Sequence, residues 1–133
     1  MKSSFSPINI PQTRLILTQL IEACDLLLLW NREVQTAQEY YQSPEGVQKM
    51  AASCMIIESI GEGVKRLDKV APNLLAECAP DVPWKSVKGL RDRIAHGYFD
   101  IDGDIIFDVI SNKITPLKSA FQSVIQNLNK VNE

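Results

Sequence analysis

The chain has a single histidine, His96, in a charged segment that starts at Arg91. An imidazole can take up and release a proton near neutral pH, so His96 could act as a general acid or base. The guanidinium of Arg91 could hold a phosphate through paired hydrogen bonds and stabilise the charge that builds during phosphoryl transfer. Asp92 could orient the imidazole and favour its charged form. These residue types predict metal-independent, acid–base cleavage of RNA.

Further basic residues lie close to this pair in the sequence. Lys85, Lys88 and Arg93 make the segment locally basic, and we expect them to contact RNA. A simpler interpretation is equally open, because most clusters of charged side chains only coat a solvated surface. If the segment is one helix, His96 falls roughly opposite Val87 and away from the apolar stripe, which fits both interpretations.

RNA cleavage by acid–base catalysis needs two proton-transfer groups. One takes the proton of the 2′-hydroxyl, and the other protonates the leaving oxygen. Because each chain supplies one histidine, a two-fold dimer would bring two Arg91–His96 pairs to one cleft. The count of histidines therefore predicts a homodimer with a shared site.

The composition is that of a single globular domain. The 133 residues are 45% hydrophobic and 23% charged, with a formal net charge of −2, which argues against RNA binding driven by bulk charge alone. The three cysteines form no CxxC or Cys/His cluster, so we expect reduced thiols in the cytoplasm, with no metal site and no cofactor.

No targeting or membrane segment is predicted. The first residues lack the apolar core of a signal peptide, and the apolar run Leu26–Trp30 is too short to span a bilayer. We expect one domain over residues 1–133, with residues 1–10 as a loose N-terminal arm.

Apolar residues recur at helical spacing through most of the chain. Proline and cap signals place helix starts at Ser43-Pro44, Asp81–Trp84 and Thr115-Pro116. The predicted helices are 12–30, 44–70, 84–96 and a last helix from 115, with shorter helical turns at 73–78 and 104–111. Residues 31–41 could continue the first helix, and residues 101–109 fit a helix or a strand. The expected fold is an all-α, up-down bundle of four to five helices.

The sequence also resembles a known family. Arg91, four residues, His96, one residue and Tyr98 match the RX4HXY signature of the HEPN superfamily. The segment Ile57–Gly63 is similar to the LE-IGEA segment of its HepT-like branch. The segment Pro83–Arg91 is similar to the PW-x-x-x-x-G-[ML]-R lead-in of that branch. The order of these matches extends over most of the chain.

This resemblance implies a HEPN-like helical bundle that forms a dimeric, metal-independent RNase toxin. Its partner would be a small nucleotidyltransferase of the MNT type, encoded beside it. Arg91 and His96 would carry RNA cleavage, and Asp92 would be the polar residue that also belongs to the site. Tyr98 would accept AMP from the partner, and the added bulk and negative charge beside the arginine would exclude RNA.

Three features depart from the family pattern. Asparagine is commoner than aspartate at position 92, and alanine is usual where this chain has Gly63, a helix position at which glycine costs about 1 kcal/mol. The polar stretch 31–42 looks like an insert. A rival interpretation is a non-catalytic, dimeric adaptor subunit for a nucleotidyltransferase, in which the motif only binds nucleotide or phosphate.

Overall fold

The structure is a computed structural model that describes residues 9–96 and 100–131. Most of the predicted N-terminal arm, and Tyr98, lie outside the described residues. The helices are α1 (Ile10–Trp30), a 3₁₀ helix (Ala37–Tyr41), α2 (Pro44–Val70), α3 (Leu74–Cys78), α4 (Trp84–Lys88), α5 (Leu90–Ile94), α6 (Gly103–Asn112) and α7 (Ile114–Val131). Within these ranges there is no β-strand, and one isolated bridge joins Ala95 to Ile101. The prediction of an all-α bundle is confirmed.

Side-chain caps explain where three of the helices begin. Asn9, Ser43 and Asp102 each accept a hydrogen bond from a backbone amide in the first turn of α1, α2 and α6. Pro44 follows the cap of α2 at a position where its missing N–H costs nothing. The cap at Asp102 also decides the ambiguous stretch 101–109 in favour of a helix.

The long helices α1, α2 and α7 form the body of the bundle, with α1 packed along both of the others. Their buried faces share one core, in which Ile16, Val64 and Phe121 are at most 1% exposed. A Cβ on Gly63 would lie 2.7 Å from the Cδ2 atom of the buried Leu20. Gly63 therefore allows α1 to pack closely on α2.

The predicted continuation of α1 through residues 31–41 is wrong. The buried Asn31 ends the helix, and its Nδ2 atom donates to the Leu27 carbonyl and to Ser53 Oγ. Its Oδ1 atom accepts a hydrogen bond of 2.8 Å from the hydroxyl of the buried Tyr40. The chain turns at Asn31 because this side chain is satisfied by α2 and by the 3₁₀ helix.

The single predicted helix 84–96 is also wrong. Gly89, with φ −99° and ψ 9°, separates α4 from α5, and α5 ends at Ile94. Ala95 is extended and forms the bridge to Ile101. His96 therefore lies in a bend beyond the helix, and its exposure does not come from a helical register opposite Val87.

None of the helices in the described parts of the chain is long and apolar enough to cross a membrane.

Candidate functional site

The short helix α5 carries the charged segment and is anchored by its two ends. Leu90 is 8% exposed and Ile94 is fully buried, so both belong to the core. The three residues between them, Arg91, Asp92 and Arg93, are exposed. Burial of the ends fixes the backbone, and the charged side chains project from a rigid base.

Arg91 contacts an acidic residue of α2. Its Nε atom lies 2.8 Å from Glu58 Oε2, and the two side chains are 45% and 47% exposed. The Nη1 atom lies 3.9 Å from Asp92 Oδ1, which is too long for a hydrogen bond. Asp92 itself is 86% exposed, and among the described residues it makes no hydrogen bond with His96. Its predicted role in orienting the imidazole stays a prediction.

The side chain of His96 is exposed, and backbone hydrogen bonds hold the chain around it. Its amide donates to the Asp100 carbonyl at 2.9 Å, and the Asp102 amide donates to the Ile94 carbonyl at 2.7 Å. In the described parts of the chain, its side chain has no hydrogen-bond or ion-pair partner. The imidazole is therefore open to a substrate, while its backbone is held.

Tyr41 reaches this loop from the 3₁₀ helix. Its hydroxyl accepts a hydrogen bond from the Gly103 amide at 2.8 Å and donates one to the Ile101 carbonyl at 3.1 Å. A Cβ on Gly103 would lie 2.8 Å from that hydroxyl, so the contact needs glycine. Tyr41 thus holds the backbone at Ile101 and Gly103, beside the bridge to Ala95.

The other predicted RNA contacts differ from Arg91 in their surroundings. Lys88 forms an ion pair of 2.7 Å with Asp68 of α2, and Lys85 is exposed on α4. Arg93 lines a cavity of about 320 Å³ that also includes Val87 of α4 and Lys113, the residue that follows α6. The structure thus directs Arg91 toward α2 and Arg93 toward the side of α6 and α7. The predicted roles of Lys85, Lys88 and Arg93 stay predictions.

The cysteines offer no nucleophile near the site. Burial raises the pKa of the Cys54 thiol, although Arg91 nearby acts to lower it. Burial raises the pKa of Cys24 to about 12. Thiols held in the neutral form are poor nucleophiles. Across the described ranges, no group of three histidine, cysteine or acidic side chains could hold a metal ion.

Two residues near the site were not predicted as functional residues. Glu58 stands in the segment that resembles the HepT-like branch, but its contact with Arg91 spans 33 residues of sequence. Tyr41 lies 60 residues from Ile101, and no local pattern connects them. The motif-like segment around Glu58 was the only available signal for either residue.

The chain matches a known family over most of its length. A model described as ribonuclease HepT-like matches residues 17–124. A protein of Caldanaerobacter subterraneus, named as a candidate RNase, is 27% identical over 83% of this chain and 91% of its own length. No solved structure matches the chain significantly.

Two other relatives match about half of the chain. A protein of Methanocaldococcus jannaschii, named as a candidate RNase, is 36% identical over 54% of this chain. A protein of Thermococcus cleftensis, named as a candidate ribonuclease HepT, is 29% identical over 51% of this chain. The matched stretch spans only 56% and 58% of these two relatives. The predicted resemblance is confirmed by the family match: this chain belongs to the HepT-like ribonuclease family.

Proposed function

We propose that this protein is a metal-independent endoribonuclease that acts as the toxin of a HEPN/MNT toxin–antitoxin pair. The observation that carries the proposal is an exposed arginine and an exposed histidine, close together in the sequence, whose backbone is held in place. Arg91 has no hydrogen-bond partner at its two terminal nitrogens among the described residues. His96 follows on the held bend, and the family is one of ribonucleases.

The chemistry is a transfer within the RNA chain. A base removes the proton of the 2′-hydroxyl, the O2′–P bond forms, and the P–O5′ bond breaks as an acid protonates the leaving oxygen. The products are a 2′,3′-cyclic phosphate and a 5′-hydroxyl. His96 would supply one proton transfer, and His96 of a second copy would supply the other. Arg91 would bind the scissile phosphate and stabilise its added charge.

The exposed apolar surface supports a homodimer beside this site. Met55 is 61% exposed and lies one helical turn before Glu58, the partner of Arg91. Large hydrophobic side chains exposed on α1 and α2 are Leu15, Leu26, Leu29, Val47 and Met55. An interface that covers Met55 would border Arg91, as a composite cleft requires.

The regulatory part of the proposal rests on Tyr98, two residues after His96. An MNT-type nucleotidyltransferase antitoxin would transfer AMP to its hydroxyl. The attached nucleotide would place negative charge beside Arg91, where the RNA phosphate has to bind. The toxin would then be silenced without unfolding.

RNA cleavage by purified variants tests the catalytic proposal. His96→Ala is expected to lower the cleavage rate by a factor on the order of 10²–10⁴, because a proton-transfer group is lost. Arg91→Ala is expected to lower it by about 10²–10³, the effect of removing one preorganised charge-stabilising group. The rate should be unchanged by EDTA, and the products should carry cyclic phosphate ends.

Arg32→Ala is the matched control, because it removes an exposed arginine far from α5 in the sequence and should leave the rate unchanged. Equal cleavage by wild type and His96→Ala would contradict the proposal, and so would loss of cleavage in EDTA. Binding of RNA without any cleavage would favour the adaptor interpretation. Sedimentation of the wild-type sample tests the dimer, because cleavage by a monomer is incompatible with a composite cleft.

A further inference from the structure

We infer that Glu58 is a positioning residue for Arg91: it holds the guanidinium side-on so that the two terminal nitrogens face the scissile phosphate. This inference rests on the proposed function and assigns a further residue to the same site. It concerns an acidic side chain of α2 that contributes no proton-transfer or phosphate-binding group of its own.

The geometry of the contact divides the guanidinium into two parts. Glu58 Oε2 lies 2.8 Å from Nε, so the negative charge of the carboxylate lies beside the inner edge of the group. Asp92 Oδ1 lies 3.9 Å from Nη1, which is beyond hydrogen-bond distance. A planar guanidinium presents its donors as a rigid fork, and its two terminal nitrogens can bind two phosphate oxygens together. The ion pair at the inner edge therefore restrains the direction in which the two terminal nitrogens point.

The backbone on both sides of this contact is held by close packing. A Cβ on Gly61 would lie 3.2 Å from the Lys88 carbonyl oxygen and 3.3 Å from that of Val87, so α2 meets the end of α4 at contact distance. Ile57, next to Glu58, is 1% exposed and fixes the rotation of α2. The buried ends of α5 do the same for Arg91. Because the backbone is fixed at both Glu58 and Arg91, a single ion pair can set the direction of the Arg91 side chain.

The ion pair has little to contribute to stability. Both side chains are close to half exposed, and ion pairs this exposed to solvent add little to the free energy of unfolding. Removing Glu58 should therefore leave the fold intact. Its effect should appear in catalysis, where a misplacement of about 1 Å can cost up to 10²-fold in rate.

A double-mutant cycle with Arg91 tests the inference. Glu58→Ala is expected to lower kcat for RNA cleavage by roughly 3- to 10-fold, with a smaller change in KM, because the arginine points less often at the reacting phosphate. Glu58→Gln retains an oxygen that can accept from Nε and should recover much of the loss. In the Arg91→Ala background, Glu58→Ala should cause no further decrease, because the group that it positions is gone.

Asp25→Asn is the matched control. It removes the carboxylate of another interhelical ion pair, in which Asp25 and Lys118 are 2.6 Å apart and join α1 to α7. The control should cleave RNA at the wild-type rate, and urea unfolding should show that all variants are folded.

The outcomes separate this inference from the proposed function. If Arg91→Ala abolishes cleavage while Glu58→Ala cleaves like wild type, only the positioning role is overturned. Faster cleavage by Glu58→Ala would also overturn it, because Glu58 would then withhold Arg91 from RNA. If Arg91→Ala itself cleaves like wild type, the proposed function fails and the positioning role fails with it.

Discussion

Three consecutive charged residues of α5 have different surroundings. Arg91 is paired with Glu58 on α2, Asp92 is 86% exposed, and Arg93 lines a cavity beside Lys113. In a helix, residues two apart point to nearly opposite sides. A count of basic residues in the segment therefore overstates how many can serve one phosphate, and Arg91 is the one best placed to serve it.

A change at one residue should separate silencing from catalysis. Tyr98→Phe lacks the hydroxyl to which AMP would be attached, so this variant should escape silencing while it still cleaves RNA. The measurement is intact mass and RNA cleavage after incubation with the nucleotidyltransferase and ATP. Wild type should gain the mass of AMP and lose cleavage, whereas Tyr98→Phe should do neither. Attachment of AMP to Tyr98→Phe would place the acceptor elsewhere.

The 3₁₀ helix within residues 31–42 contacts the backbone near His96. Its Tyr41 bonds to the backbone on both sides of Asp102, at Ile101 and Gly103. Ile101 in turn forms the bridge to Ala95, next to His96. The polar stretch 31–42 therefore supports the backbone next to His96.

Tyr41→Phe should weaken that support. Without the hydroxyl, the loop gains freedom, and the cleavage rate is expected to fall about threefold to tenfold because the histidine is less well oriented. Hydrogen exchange gives a second measurement, in which the amides of Gly103 and His96 should exchange faster than in wild type. Unchanged cleavage together with unchanged exchange would show that the tyrosine does not brace the loop.

A buried polar network joins the first half of the bundle. Asn31 at the end of α1, Tyr40 of the 3₁₀ helix and Ser53 of α2 are all at most 6% exposed and are linked by hydrogen bonds. Buried polar groups stabilise a fold only when their partners are present. The network thus makes the packing of α1 on α2 dependent on the 3₁₀ helix.

Tyr40→Phe tests this dependence. It leaves the side-chain Oδ1 atom of Asn31 buried without its donor. This loss is expected to lower the free energy of unfolding, measured by urea denaturation, by about 1–3 kcal/mol. The RNA cleavage rate of the folded protein should be unchanged, whereas Tyr41→Phe is expected to lower it. A variant as stable as wild type would show that the network contributes nothing.

The same variant should also alter stability in alkali. Burial raises the pKa of Tyr40 to about 12, above its ordinary value of 10, so the folded state favours the neutral phenol. The stability that the neutral Tyr40 gives to the folded state is complete below pH 10 and is lost as the pH rises toward 12. Cys24, with its pKa also raised to about 12, adds to the loss, and the difference between wild type and Tyr40→Phe isolates the tyrosine.

Local sequence patterns determined most of the helices and the motif itself. Caps and prolines act within one helical turn, so the start of α2 at Pro44 could be predicted from the sequence. For the stretch that contains α6, the sequence left two alternatives, a helix or a strand, and the structure shows the helix. The family match over residues 17–124 likewise depends on residues at fixed spacing. These features need no knowledge of which helices pack together.

The tertiary structure alone decided how the motif is held. Gly89 interrupts the predicted helix, and the Ala95–Ile101 bridge separates His96 from it. The His96 amide donates to the Asp100 carbonyl, which follows it in the sequence, instead of to a carbonyl of the preceding turn. The contact of Glu58 with Arg91 depends on the close approach of α2 and α4 at Gly61. Such contacts depend on the packing of distant segments, so candidate site residues could be proposed from the sequence, whereas the side chains that support them could not.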